Sequence, residues 1–154
     1  MAALFFDSSG LIKRYISETG TSRVIGLLRP TAANDIFIAS ITGIEVTSAI
    51  ARRVRSGSIS QTTAKKALNR FKRDFEKRFI VVDLNTKVIE QGISLAEKYG
   101  LRGYDTTQLA TGLSIRNRLA QGGIQNFTFI SADNDLNKAA QAEGLTVENP
   151  NDHP

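Results

Sequence analysis

Residues 2–10, Ala-Ala-Leu-Phe-Phe-Asp-Ser-Ser-Gly, decide how the rest of this chain is read. Ala2–Phe6 is short, apolar and without polar alternation, the pattern of a strand buried on both faces. It stops at Asp7, and Asp7, Ser8 or Ser9 can each cap the helix spaced out by Leu11, Ile12, Tyr15 and Ile16. The same grammar recurs downstream. Ile36–Ala39 is a strand followed by a helix from Ser40 or Thr42 to about Ser56. Phe79–Asp83 is a strand, and a helix over Thr86–Tyr99 closes at Gly100. Phe127–Ser131 is a strand, Asp133–Glu143 a helix, and Leu145–Val147 a last strand. Three further helices are expected: a short one around Val24–Leu28 stopped by Pro30, a basic one from Ser60 or Thr62 to about Lys77, and one from Asp105 to about Leu119. Strands alternating with helices imply an α/β domain with a central parallel sheet of about five strands, covered by helices on both faces.

Composition narrows the chemistry. The 154 residues fit one domain, assigned to 1–149 with a loose tail at 150–154. No apolar run nears the roughly 20 residues of a membrane span, and no basic segment precedes the first apolar run, so a cytoplasmic protein is expected. There is no cysteine, and the one histidine is His153, next to the C-terminal residue. Thiolate nucleophiles, cysteine-ligated zinc, a Ser-His-Asp triad and a two-histidine ribonuclease are thereby excluded. Hydrolytic chemistry in this chain has to run on carboxylates.

Four carboxylates stand out. Asp7 and Asp133 follow strands, Asp105 opens a helix, and Glu45 lies early in the helix after the second strand. In a parallel α/β sheet the loops leaving the carboxyl ends of the strands share one edge, where ligands bind. Each aspartate also has a purely structural reading as a helix N-cap. Glu45 sits among Ile41, Ile44, Val46, Ala49 and Ile50, where a carboxylate needs a cation or a salt bridge, for instance to Arg52. Taken together, four acids meeting at one point repel one another unless a cation sits there. Oxygen-only ligands select a hard ion, Mg²⁺ or Mn²⁺, and Mg²⁺ keeps several waters, so some of the acids are expected to act through water. Asp135 is also acidic, but two residues along a helix from Asp133 it points roughly 200° away. It is expected to face the helix dipole or make an outer contact at most.

Charge is unevenly placed. Ten basic residues against Asp74 and Glu76 give the 51–78 segment +8, leaving −3 on the remainder of a chain of net charge +5. Arg52, Arg53, Arg55, Lys65, Lys66 and Arg70 are the candidates for an RNA or partner surface, with a plain solvated helix face as the alternative.

The stretches LFFDSSGLIKRY (4–15), ITGIEVTSAIARR (41–53), LRGYDTTQLATGL (101–113) and FISADNDLNKAAQAEGL (129–145) resemble, in order, the signature segments of PIN-domain nucleases, and most of all the VapC-type toxins of toxin–antitoxin pairs. The resemblance implies a Rossmann-like, three-layer PIN fold and Mg²⁺- or Mn²⁺-dependent endonucleolytic cleavage of RNA. It places the family's acidic set on Asp7, Glu45, Asp105 and Asp133, with Ser131 and Ser8 in supporting roles. It further implies a cognate antitoxin and a homodimer. The alternative is a PIN-like module that binds RNA or protein without cutting. A dehalogenase-type phosphatase fits poorly, having Ser9 where a second aspartate is needed, and a receiver domain lacks its acidic pair.

Overall fold

The computed structural model describes residues 2–154. Its sheet has five parallel strands in the order β3-β2-β1-β4-β5. These are β1 (Ala3–Phe6), β2 (Asp35–Ala39), β3 (Ile80–Val82), β4 (Phe127–Ile130) and β5 (Val147–Glu148). Seven helices cover it: α1 (Ser8–Leu11), α2 (Thr21–Leu28), α3 (Thr42–Arg55), α4 (Gln61–Lys77), α5 (Thr86–Tyr99), α6 (Gly103–Gln121) and α7 (Asn134–Ala142).

β1 is the central strand and is buried along its whole length. Because side chains alternate across a strand, Leu4 and Phe6 enter one core with α1–α4, while Ala3 and Phe5 enter the other with α5–α7. Phe5 stacks on Phe129 of β4 with ring centroids 5.3 Å apart. α6 lies so close to these rings that a Cβ at Gly112 would meet the Phe129 ring at 2.8 Å. A bare glycine there lets the helix seat directly on the sheet. This helix is buried around much of its circumference, which explains why it shows little of the polar–apolar alternation seen elsewhere.

Element boundaries depart from the sequence expectation where tertiary contacts intervene. β5 is Val147–Glu148, not 145–147, because Leu145 is used as a core side chain before the ladder with β4 begins. The tail is not loose. Residues 150–152 form a 3₁₀ turn capped by Asn149, and Pro150 is buried. It packs on Gly20, whose φ of +86° and lack of a Cβ admit the Pro150 carbonyl. No helix among the described residues is long and apolar enough to cross a membrane.

Strand order reverses direction at β1. From β1 the chain builds outward through β2 to β3, then returns to lay β4 and β5 on the other side. In such sheets the crevice at the reversal, beyond the carboxyl ends of the strands, is the ligand site. β1 and β4 end there, and Asp7 and Asp133 follow them.

Candidate functional site

A cavity of about 1070 Å³ opens at this crevice. Glu45, Asp105 and Asp133 line it, together with Ser8 and Ser9. Asp7 lies under the serines and is 2% exposed. Three of the four acids predicted from the sequence therefore line one cavity, and the fourth, Asp7, is buried behind it and bonded to Ser9 of its lining; each comes from a different part of the chain.

The bonds around Asp7 explain its position. Its carboxylate caps α1 by accepting the Gly10 N–H at 2.9 Å. It also accepts Ser9 Oγ at 2.8 and 2.9 Å and Ser131 Oγ at 3.0 Å. Ser131 Oγ in turn accepts the Asp133 N–H at 3.1 Å, and Ser9 Oγ accepts the Ala132 N–H at 3.0 Å. The ends of β1 and β4 are thus stitched together by hydroxyls. Capping and site residence are not rivals here, since Asp7 does both. Asp133 does the same, accepting the N–H groups of Asp135 and Leu136 while its side chain lines the cavity. Asp105 is no cap: α6 begins at Gly103, so Asp105 occupies its first turn.

Glu45 makes no ion pair with Arg52. Ser8 Oγ donates to its Oε2 at 3.0 Å, and Gln108 Nε2 donates to its Oε1 at 2.7 Å. Neutral donors hold Asp7, Glu45 and Asp133, and no lysine or arginine lies within 4 Å of these three or of Asp105 among the described residues. The electrostatic consequence is direct. Burial pushes the Asp7 carboxyl up to about 7, against the lowering effect of Gly10, Ser9 and Ser131, with the Glu45 charge adding to the rise. Burial, then the charges of Asp133 and Glu45, push Asp105 upward as well.

Basic residues share the lining: Lys13, Arg52, Arg53, Arg55 and Arg102 border the same cavity, and the Arg102 charge opposes the rise at Asp105. Lys13 and Arg53 are neutralised by Glu18, at 2.9 Å each. Arg52, Arg55 and Arg102 have no carboxylate within 4 Å among the described residues and are exposed. Of the remaining basic candidates, Lys65, Lys66 and Arg70 are exposed on α4 and do not line the cavity. Asp135 does not line it either; it borders a smaller cavity beside Tyr99 and Lys138. Its supporting role is not borne out, because the helical turn carries it away from Asp133. Ser9, Gln108 and Arg102 were missed in the sequence. Ser9 stood inside the quoted DSSG stretch, and Arg102 and Gln108 flank Asp105, but only the fold shows what they touch.

Among the described residues no three acidic side chains close on a common point as they stand. The donor set still fits a hydrated hard ion. It is all oxygen, it is mutually repulsive, and Mg²⁺ retains several waters and takes only one or two carboxylates directly.

No family model matches the sequence, and no curated protein matches it. Solved structures do match. PAE2754 from Pyrobaculum aerophilum superposes with a TM-score of 0.62 at 15% identity, over 95% of this chain and 83% of that one. A toxin–antitoxin complex from Klebsiella pneumoniae gives 0.62 at 18% identity, over 96% and 97% of the two chains. VapBC2 from Rickettsia felis, bound to a DNA fragment from their promoter, gives 0.60 at 17% identity over 96% and 98%. The chain has the PIN fold. The acidic cavity lies at the carboxyl edge of the sheet, and the exposed basic residues of its lining come from α3 and the lead-in to α6.

Proposed function

We propose that this PIN domain is a divalent-metal-dependent endoribonuclease, the toxin of a toxin–antitoxin pair. The observation that carries the reading is that Glu45, Asp105 and Asp133 line one cavity with Asp7 bonded behind it through Ser9, and that no lysine or arginine forms an ion pair within 4 Å of any of the four among the described residues. Likeness of fold to toxin–antitoxin structures supports the biological setting and an antitoxin partner.

Asp7, Asp105 and Asp133 are the residues to hold Mg²⁺ or Mn²⁺, directly or through water, with Glu45 beside them. The ion would acidify a water and neutralise charge building on the phosphate. Glu45, exposed to the cavity yet fixed by Ser8 and Gln108, is placed to orient the attacking water. Arg52, Arg55 and Arg102 are free to bind phosphates on either side of the scissile bond. Hydrolysis in this sense joins a water oxygen to phosphorus and releases the 3′ oxygen, leaving a 5′-phosphate and a 3′-hydroxyl. The antitoxin and a second copy of the chain are the expected protein partners.

One observation favours the rival, a module that binds RNA or protein without cutting: the acids are separately engaged by serines, Gln108 and helix caps. Incubating purified protein with labelled RNA in Mg²⁺, Mn²⁺ or EDTA separates the two readings, with labelled DNA as a control. Cleavage that needs the ion and vanishes in Asp7→Asn and Asp105→Asn supports the nuclease. Binding of RNA without ion-dependent cleavage supports the module.

A further inference from the structure

Gln108 is 1% exposed, in the middle of α6, in a helix stretch otherwise filled by Thr106, Leu109, Ala110 and Thr111. A glutamine at such depth has to place one acceptor and two donors. Both contacts recorded for it use the nitrogen: Nε2 donates to Glu45 Oε1 at 2.7 Å and to Thr42 Oγ1 at 2.9 Å. Its Oε1 is buried and has no hydrogen-bond partner. Leaving a buried acceptor unmet costs stability, because its hydrogen bond to water is lost and not replaced. Turning the amide over would not relieve this, because it would aim the carbonyl oxygen at the Glu45 carboxylate. Glu45 therefore dictates the orientation of Gln108, and the fold tolerates an orphaned oxygen to keep that bond. A buried unsatisfied group retained in this way points to function.

The second oxygen of Glu45 is held by Ser8 at 3.0 Å. One carboxylate is thus gripped on each oxygen by a neutral donor, one from α6 and one from α1. The grip uses one lone pair on each oxygen and leaves the others for the cavity. It also ties Glu45 to the helix that carries Asp105.

We propose that Gln108 is a positioning residue that, with Ser8, clamps Glu45 so that its carboxylate faces the cavity as a ligand for a divalent cation or that cation's water. This rests on the metal-dependent reading given above and deepens it. Gln108 touches no substrate; it acts through Glu45.

Gln108→Met keeps nearly the same volume and removes both the donor and the orphaned oxygen. Its thermal midpoint is expected to stay at or above the wild-type value. Mn²⁺ affinity, measured by calorimetry on the protein without RNA, is expected to fall five- to tenfold. In the RNA assay kcat is expected to fall ten- to a hundredfold with KM within twofold, a split that mere loosening of the fold does not produce. Ser8→Ala, at the half-buried side of the clamp, serves should Gln108→Met not fold. It is expected to weaken Mn²⁺ two- to fivefold, and the double variant to fall short of the product of the two, since one freed oxygen already lets the carboxylate swing. Wild-type Mn²⁺ affinity in the folded variants, or a wild-type protein that binds no Mn²⁺, overturns the proposal. Weakened Mn²⁺ binding in Gln108→Met alongside a wild type that cuts no RNA refutes the nuclease and upholds the clamp.

Discussion

Asp7 and Asp74 are both sunk in the protein, 2% and 5% exposed, and the chain provides for them in opposite ways. Asp74 accepts Arg14 Nε and the Tyr15 hydroxyl at 2.8 Å each, with Arg78 at 3.8 Å from its other oxygen. Its charge is answered from within, and the group locks α4 onto the segment after α1. Asp7 receives two serine hydroxyls and a backbone N–H, and no cation. A buried carboxylate with a guanidinium beside it is complete. One given only neutral donors has no countercharge in the chain, and a bound proton or a bound cation has to answer it.

Substituting each aspartate should separate the two roles, with the largest effect on catalysis at Asp7. Asp7→Asn keeps an acceptor for the Gly10 cap, so it should fold, yet lose RNA cleavage by at least about 10³-fold, roughly 4 kcal/mol of transition-state stabilisation. Single-turnover cleavage measures this, and retention of wild-type rate would remove Asp7 from the site.

The next effect is on stability against pH. An acid whose folded pKa is about 7 against 3.8 for the free group binds its proton more tightly when folded. The resulting stabilisation is whole below pH 4 and is lost as pH rises through 7. Between pH 5 and 8, Asp7 should withdraw roughly 2–3 kcal/mol from the metal-free protein. Urea unfolding at the two pH values should show that difference in the wild type and not in Asp7→Asn. Asp74→Asn should do the reverse of Asp7→Asn. It leaves Arg14 without its partner and should cost about 3 kcal/mol in the same unfolding experiment, with cleavage per folded molecule unchanged.

Supplying the missing cation is a gentler way to sharpen the contrast. At pH 8, Mg²⁺ at ten times its dissociation constant should stabilise the wild type by about 1.4 kcal/mol and Asp7→Asn by much less, read as a shift in thermal midpoint. Smallest of all, Arg52→Ala should weaken RNA binding only two- to fivefold and flatten its dependence on salt, as befits an exposed phosphate contact.

Much of this was legible in the chain itself. The run of unalternated apolar strands, each followed by a helix, determined a parallel sheet covered on both faces, because only a strand buried on two sides tolerates Leu4-Phe5-Phe6 in succession. The absence of cysteine and of any usable histidine left carboxylates as the only chemistry, and strand-end position picked out Asp7 and Asp133. Other features were decided by contacts between residues far apart in sequence, which local pattern does not encode. That Leu145 is core rather than strand, that Pro150 is pinned by Gly20, and that Glu45 answers to Gln108 and not to Arg52 follow from packing across 63 positions in the last case. The residue types carry the chemistry; which neutral groups surround each charge, and so which charges are left over for a cation, only the folded chain decides.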